Sequence, residues 1–243
     1  MKKSLLIAAA TLAVGVISSQ AGVYSQNVVG YANVPLNNGG TYLLSCPFTV
    51  GSSNGANEIW PLVSGTPSIP DGSTLEIWTG SKFVSYLSDS GSSSLWDDNN
   101  GTPIPNSPVL PVGQGFFLIP AGTVTSTFAG AVAVNVGTSN KVTLANGGTY
   151  LIAPAVPYAG AITNGNPATG AGGANLTSLA GLPDGSTLEI WNGSTFVSYL
   201  SDSGSGSYWD DNNGTPIPAP PSVNVAQGFF LIPAANFTWT VGL

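Results

Sequence analysis

The decapeptide Trp-Asp-Asp-Asn-Asn-Gly-Thr-Pro-Ile-Pro stands at Trp96–Pro105 and returns unchanged at Trp209–Pro218. Paired carboxylates, amides and a glycine are the oxygen donors and the tight bend that a calcium loop uses. The best-known loop puts ligands at positions 1, 3 and 5 and glycine at 6, and that register fails here. With Gly101 at position 6, position 1 is Trp96, which has no oxygen to offer; with Asp97 at position 1, the glycine arrives one residue early. Position 12 holds Pro108 or Ser107 in the first copy, and Pro221 or Pro220 in the second, where a bidentate Glu is needed. Ca²⁺ also accepts looser oxygen cages, so Asp89, Asp97 and Asp98, with Asp202, Asp210 and Asp211, remain candidate metal ligands. The competing expectation, and the one adopted, is a rigid turn that needs no cofactor. Asp and Asn cap their own turns, Asn100-Gly101 tolerates positive φ, and the Thr-Pro-Ile-Pro that follows continues extended.

Other chemistry is tested by the same elimination. Serine is abundant, but the chain has no His and no Arg, so the usual base for a Ser or Cys46 nucleophile is missing. A Ser–Lys pair would need Lys82 or Lys141, and Lys82 is Thr195 in the other copy. Glycoside hydrolysis needs two carboxyl groups about 5 to 9.5 Å apart. Asp71 with Glu76, or Asp184 with Glu189, are the candidates, yet Pro-Asp-Gly-Ser-Thr also reads as a turn entering a strand. No catalytic residue is expected. Aromatic residues offer a binding chemistry instead: Trp78 and Tyr86, with Trp191 and Tyr199, are candidates for a sugar-stacking platform, and Trp96 and Trp209 lie near them in sequence. The alternative is that these rings pack a core or a sheet face.

The elements that must position these residues are strands, laid out twice. Asn38–Leu44 (NGGTYLL) returns as Asn146–Ile152 (NGGTYLI). Pro70–Pro105 returns as Pro183–Pro218 with the substitutions Thr79/Asn192, Lys82/Thr195, Ser93/Gly206 and Leu95/Tyr208 alone, and Gly113–Pro120 returns as Ala226–Pro233. The offset grows from 108 to 113 residues between these blocks, which places an insertion near Asn166–Asn175. The expectation is two tandem homologous β-sandwich or barrel-like domains, at 25–130 and 131–243, joined near Ala131. Short β-branched and aromatic runs such as STLEIW and KFVSYL, separated by Thr79-Gly80-Ser81 or Asn192-Gly193-Ser194, predict hairpins. Leu75 and Ile77 then share one face, and Glu76 and Trp78 the other. On this pairing Trp78 and Tyr86 fall on a common face. Gly55–Val63 and Gly173–Leu182 are each expected to hold a helical turn.

Composition and the leader set the compartment. Residues 1–21 run from Lys2 and Lys3 through an apolar Leu5–Ile17 stretch to Ser19-Gln20-Ala21, the order of a cleaved signal peptide, and no other run suits a membrane span. Removing the two leader lysines takes the formal charge from −7 to −9, and leaves Lys82 and Lys141 as the basic residues. Nucleic acid is therefore excluded as a partner, and anionic lipid is disfavoured. A single cysteine, Cys46, permits no internal disulfide and is expected to be a buried thiol.

The order NVVGYANVPL, GTYLLSCPF, LEIWTGSKFVSY and LPVGQGFFLIP resembles a group of secreted repeat proteins of Verrucomicrobia-type bacteria. Those typically read N-[IV]-V-G-Y-x-N-V, a W-x-G-x-x-F hairpin and P-G-[QE]-G-F-F. The resemblance covers both copies. It departs at Val112, where the group has glycine, and at the start of the second copy, which lacks the V-G-Y-x-N-V form. It implies an exported β-domain protein and supplies no catalytic residue. The expected role is structural or adhesive, at the cell surface or in the extracellular matrix, with polysaccharide or other surface proteins as partners. Carbohydrate binding through exposed aromatics, or a calcium-stabilised surface protein, are the alternatives.

Overall fold

The computed structural model describes residues 29–49, 56–58, 69–132, 139–162, 179 and 181–242. The leader at 1–21 and the insertion at 166–175 lie outside them. The protein is all-β. Its first half carries β1 (Val29–Leu36), β2 (Tyr42–Ser45), β3 (Phe48–Thr49), β4 (Ala56–Glu58), β5 (Thr74–Trp78), β6 (Phe83–Ser88), β7 (Trp96–Asp98), β8 (Val109–Pro111), β9 (Gly115–Ile119) and β10 (Val124–Val132). Its second half carries β11 (Ser139–Leu144), β12 (Tyr150–Ile152), β13 (Gly160–Ala161), β14 (Thr187–Trp191), β15 (Phe196–Ser201), β16 (Trp209–Asp211), β17 (Ser222–Val223), β18 (Phe229–Ile232) and β19 (Phe237–Gly242). Among the described residues no helix is long and apolar enough to cross a membrane.

Each half is built around one five-stranded antiparallel sheet, in the order β2-β9-β5-β6-β7 in the first and β12-β18-β14-β15-β16 in the second. A second sheet covers one face of each. In the first half β1-β10-β3 closes a core containing Leu36, Phe48, Leu75, Phe116 and Phe128; in the second, β11-β19 closes one containing Leu144, Leu188, Phe229 and Trp239. These are face-to-face sheet packings. Among the described residues no sheet closes on itself as a barrel.

The repeated Pro70–Pro105 block folds the same way in both halves because its serines fix its turn. Ser73 Oγ and Ser88 Oγ both donate to the Pro70 carbonyl, at 2.6 and 2.7 Å, and Ser88 Oγ accepts from Ser73 N at 2.9 Å. Ser186 and Ser201 clamp Pro183 in the same manner. These buried hydroxyls are fully used, as buried polar groups must be.

The structure bears on three expectations. Ala131, near which the two halves are expected to join, lies inside β10, paired with Val29 and with Thr49, and residues 133–138 lie outside the described residues. Ala56–Glu58, read as part of a helical turn, is a strand paired with β8; the rest of Gly55–Val63 lies outside the described residues. In the second such stretch, Leu182 N donates to Leu179 O at 2.8 Å and closes a turn, with most of Gly173–Leu182 also outside them.

Candidate functional site

The sugar platform expected from Trp78 and Tyr86 does not form. Trp78 pairs with Phe83 and Leu75 with Tyr86, so the connecting loop is Thr79-Gly80-Ser81-Lys82, one residue longer than the sequence suggested. Thr79 N donates to Lys82 O at 3.0 Å, and Gly80 takes φ +95°. Directly opposed residues of an antiparallel pair share a face. Tyr86 therefore stands with Leu75 against the first core, and Trp78 projects from the opposite face with Glu76 and Phe83. Tyr199 and Trp191 are separated in the same way, Tyr199 facing Leu188. Trp96 and Trp209 are fully buried in the two cores.

Trp78 and Trp191 instead join the halves. Each indole Nε1 crosses to a backbone carbonyl of the other half: Trp78 to Thr149 and Trp191 to Thr41, both at 2.8 Å. Their rings meet Phe230 and Phe117 edge-on, at centroid distances of 6.0 and 5.9 Å. Leu43, Phe117, Leu151 and Phe230 are buried between them. The free edges of β2 and β12 are covered at this seam. Ser45 N donates to Ala226 O, and Ala153 N to Gly113 O, both at 2.8 Å. Gln114 and Gln227 each donate Nε2 to the carbonyl of their own half's tryptophan, at 3.0 Å. Gly115 and Gly228 sit where a side chain would intrude: a Cβ on Gly115 would lie 2.8 Å from Leu151 Cγ, and one on Gly228 3.1 Å from the Leu44 carbonyl.

Sequence reasoning missed this use of the Gly-Gln-Gly-Phe-Phe motif. The signal was present in the unbroken apolar run Phe116-Phe117-Leu118-Ile119, because a strand covered on both faces loses its apolar–polar alternation.

The carboxylates divide by use. Asp98 Oδ1 accepts from Asn100 N at 2.8 Å and Thr102 N at 3.0 Å, closing the Asn-Asn-Gly-Thr turn, in which Gly101 takes φ +74°. Asp211 does the same with Asn213 and Thr215. The amides of Thr102 and Asn100, and of Thr215 and Asn213, hold these two carboxyls below the usual range. Asp89 and Asp202 cap their own loops at Gly91 and Gly204. Asp97 and Asp210 are buried; Asp210 accepts from Ser205 Oγ, whereas Asp97 Oδ1 has no hydrogen-bond partner among the described residues. Among the described residues, no three His, Cys, Asp or Glu side chains gather as a metal-holding group. Asp71 binds Ser90 through both oxygens, and Glu76 accepts from Ser85 Oγ at 3.3 Å; Asp184 and Glu189 repeat these contacts. Each proposed glycosidase carboxylate is thus engaged with its own serine.

Burial pushes the Cys46 thiol up to about 12, where it donates to the Phe48 carbonyl at 3.2 Å. It is no thiolate nucleophile. Lys82 lies exposed in the hairpin turn, and Lys141 is exposed on β11.

One cleft opens at the seam. It has a volume of about 980 Å³ and runs between β2 of the first half and the β14–β15 hairpin and Ala219–Val225 segment of the second. Tyr42, Trp191 and Tyr199 contribute rings to its wall, and Asn192, Ser222 and Asn224 contribute polar groups. No Asp, Glu or Lys is among its described lining residues. Trp191 and Tyr199, on opposite faces of their sheet, both reach this cleft. The chain matches no protein-family model, no curated protein and no solved structure.

Proposed function

We propose that the chain is an exported, non-enzymatic protein whose two halves act as one structural or adhesive body at the cell surface or in the extracellular matrix. The observation that carries this reading is the use made of the repeated aromatic block. Its tryptophans and phenylalanines bind the halves to each other, and its aspartates close their own turns. Residue types that would serve catalysis elsewhere are here consumed by architecture. The leader-like first 21 residues and the resemblance to secreted repeat proteins support export. Labelling of intact cells of the source organism with antibody tests the reading, together with deletion of the gene. Surface or matrix labelling and weakened cohesion or attachment are expected. Retention of the protein inside the cell, or turnover of a polysaccharide by the purified protein, overturns it.

A second reading is favoured by the cleft. A wall of aromatic rings, amides and hydroxyls without charge suits a neutral glycan, whose sugar faces stack on rings and whose hydroxyls bond amides. Ala219 is exposed on its rim. Binding on a glycan array that is abolished by Ala219→Trp would support adhesion through sugar; absence of binding to any neutral glycan removes this reading.

A further inference from the structure

The surfaces that meet at the seam are two copies of one surface. Trp78 and Trp191, Phe117 and Phe230, and Leu43 and Leu151 are equivalent positions with the same residue in each half. Their contacts are reciprocal. Trp78 reaches Thr149 as Trp191 reaches Thr41, and the Phe117–Trp191 and Phe230–Trp78 ring pairs agree in distance and in their near-perpendicular tilt. The bonds at positions where the halves differ, Ser45/Ala153 and Gly113/Ala226, run through the backbone. Each face carries one glutamate, Glu76 or Glu189, and the charged position at which the hairpins differ, Lys82/Thr195, is exposed in the turn. This is the geometry of an isologous two-fold interface, enclosed within one chain.

We propose that this seam also forms between chains, so that the protein is a bivalent link whose partner is a second copy of itself. The chemistry requires nothing new. In a first-half to first-half contact, Trp78 Nε1 meets the Thr41 carbonyl of the second chain in place of its Thr149. Swapped pairs give closed dimers, and like-with-like pairs extend into open chains. Closure within one chain competes through effective concentration, which for halves joined by a short connection is about millimolar. The dilute protein is therefore a closed monomer, and dense secretion or refolding favours links between chains. The inference goes beyond the structural role proposed above: a chain that failed to self-link could still adhere, and one that did could work in another compartment.

The test is refolding of the full chain from denaturant across a concentration series, followed by dilution and size measurement by light scattering. The oligomer fraction is expected to rise from below about 1% at ~1 μM to roughly half near 1 mM. Monomer at every concentration overturns the proposal. A wedged variant, Gly115→Leu with Gly228→Leu, separates the seam from other sticking surfaces, because both side chains would project into the close approach between halves. It is expected to give extended monomers at every concentration, with Trp96 and Trp209 fluorescence still that of buried indoles. Oligomers undiminished in this variant would place the contact elsewhere and overturn the proposal. Should the wedged variant lose its buried-indole fluorescence, cross-linking of mixed differently labelled wild-type chains decides: peptides joining Thr41–Leu44 of one chain to Ala226–Phe230 or to Gly113–Phe117 of another are expected, and the absence of both overturns it.

Discussion

Gly115→Ala measures how tightly the seam is closed. Gly115 has no positive φ, so the substitution adds volume without backbone strain. The new Cβ would lie 2.8 Å from Leu151 Cγ, 3.0 Å from its Cδ1 and 3.4 Å from the Leu44 carbonyl. The first two distances are shorter than ordinary carbon contacts of about 3.5–4.0 Å. Leu151 cannot recoil freely, since it is only 3% exposed and packed with Leu43, Phe117 and Phe230. Overpacking of this kind costs about 1–3 kcal/mol. Against it stands the gain of about 0.4–1 kcal/mol from a less flexible unfolded chain. A net loss of up to about 2.6 kcal/mol lowers Tm by up to about 10 °C for a protein of this size, whereas the control keeps only the gain. The control is Gly206→Ala, where nothing lies within 4 Å of the added Cβ and the first half already carries Ser93. Thermal unfolding followed by circular dichroism compares the two. If Gly115→Ala melts at or above Gly206→Ala, the halves are not closed as described and the account of the Gly-Gln-Gly motif fails.

Three other outcomes are expected. Asp98 and Asp211 have carboxyls lowered by turn amides, so they favour the folded loops above the ordinary aspartate value and lose that effect as pH falls through the lower folded one; NMR titration of both carboxyls at the ordinary value of about 3.9 would refute the turn. Cys46 resists thiol reagents at pH 8 in the native protein and reacts on unfolding, because burial holds it protonated up to about 12; rapid native labelling would contradict its burial. Ala226 takes φ +61° where its counterpart Gly113 takes +79°. Ala226→Gly should leave Tm unchanged or raise it, whereas Gly113→Ala, its Cβ 3.1 Å from the Ala153 carbonyl, should cost about 1–2 kcal/mol by calorimetry; the reverse order would contradict the seam's backbone geometry.

The faces of β5 were legible from alternation alone: Leu75 and Ile77 enter the core, and Glu76 and Trp78 leave it. The partner of Trp78 was not, because one loop residue decides it. A three-residue loop at Thr79-Gly80-Ser81 would set Trp78 against Lys82 and bring Tyr86 to the same face. The observed four-residue loop sets Trp78 against Phe83 and sends Tyr86 to the core. A register slip of one residue turns every side chain over, and no local residue preference distinguishes the two loops strongly. Similarly, Asp98 as a turn-closer followed from Asp-Asn-Asn-Gly chemistry, while the burial of its neighbour Asp97 depended on sheet packing that spacing does not encode.

Near-identity of the Pro70–Pro105 block in the two halves finds an internal cause in this arrangement. The serine clamp, the aspartate turns and the aromatic seam tie most of the block to fixed partners, and the seam adds a constraint that separate domains would not share. A face that packs against its own copy must remain complementary to itself, so a bulkier residue at Phe117 would press on Trp191 and Phe196, and the matching change at Phe230 on Trp78 and Phe83. The four differences fall outside the serine clamp, the aspartate carboxylates and the seam rings. Thr79/Asn192, Lys82/Thr195 and Ser93/Gly206 are exposed in both halves, and Leu95/Tyr208 lies in a loop with Tyr208 exposed. The same argument makes seam substitutions coupled rather than independent. Phe117→Leu with Phe230→Leu should differ from the sum of the single changes, since Phe117 meets Trp191 and Phe196 while Phe230 meets Trp78 and Phe83 across one continuous cluster. A double-mutant cycle by denaturant unfolding is expected to show an interaction of at least about 0.5 kcal/mol; strict additivity would mean that the two halves pack as separate domains.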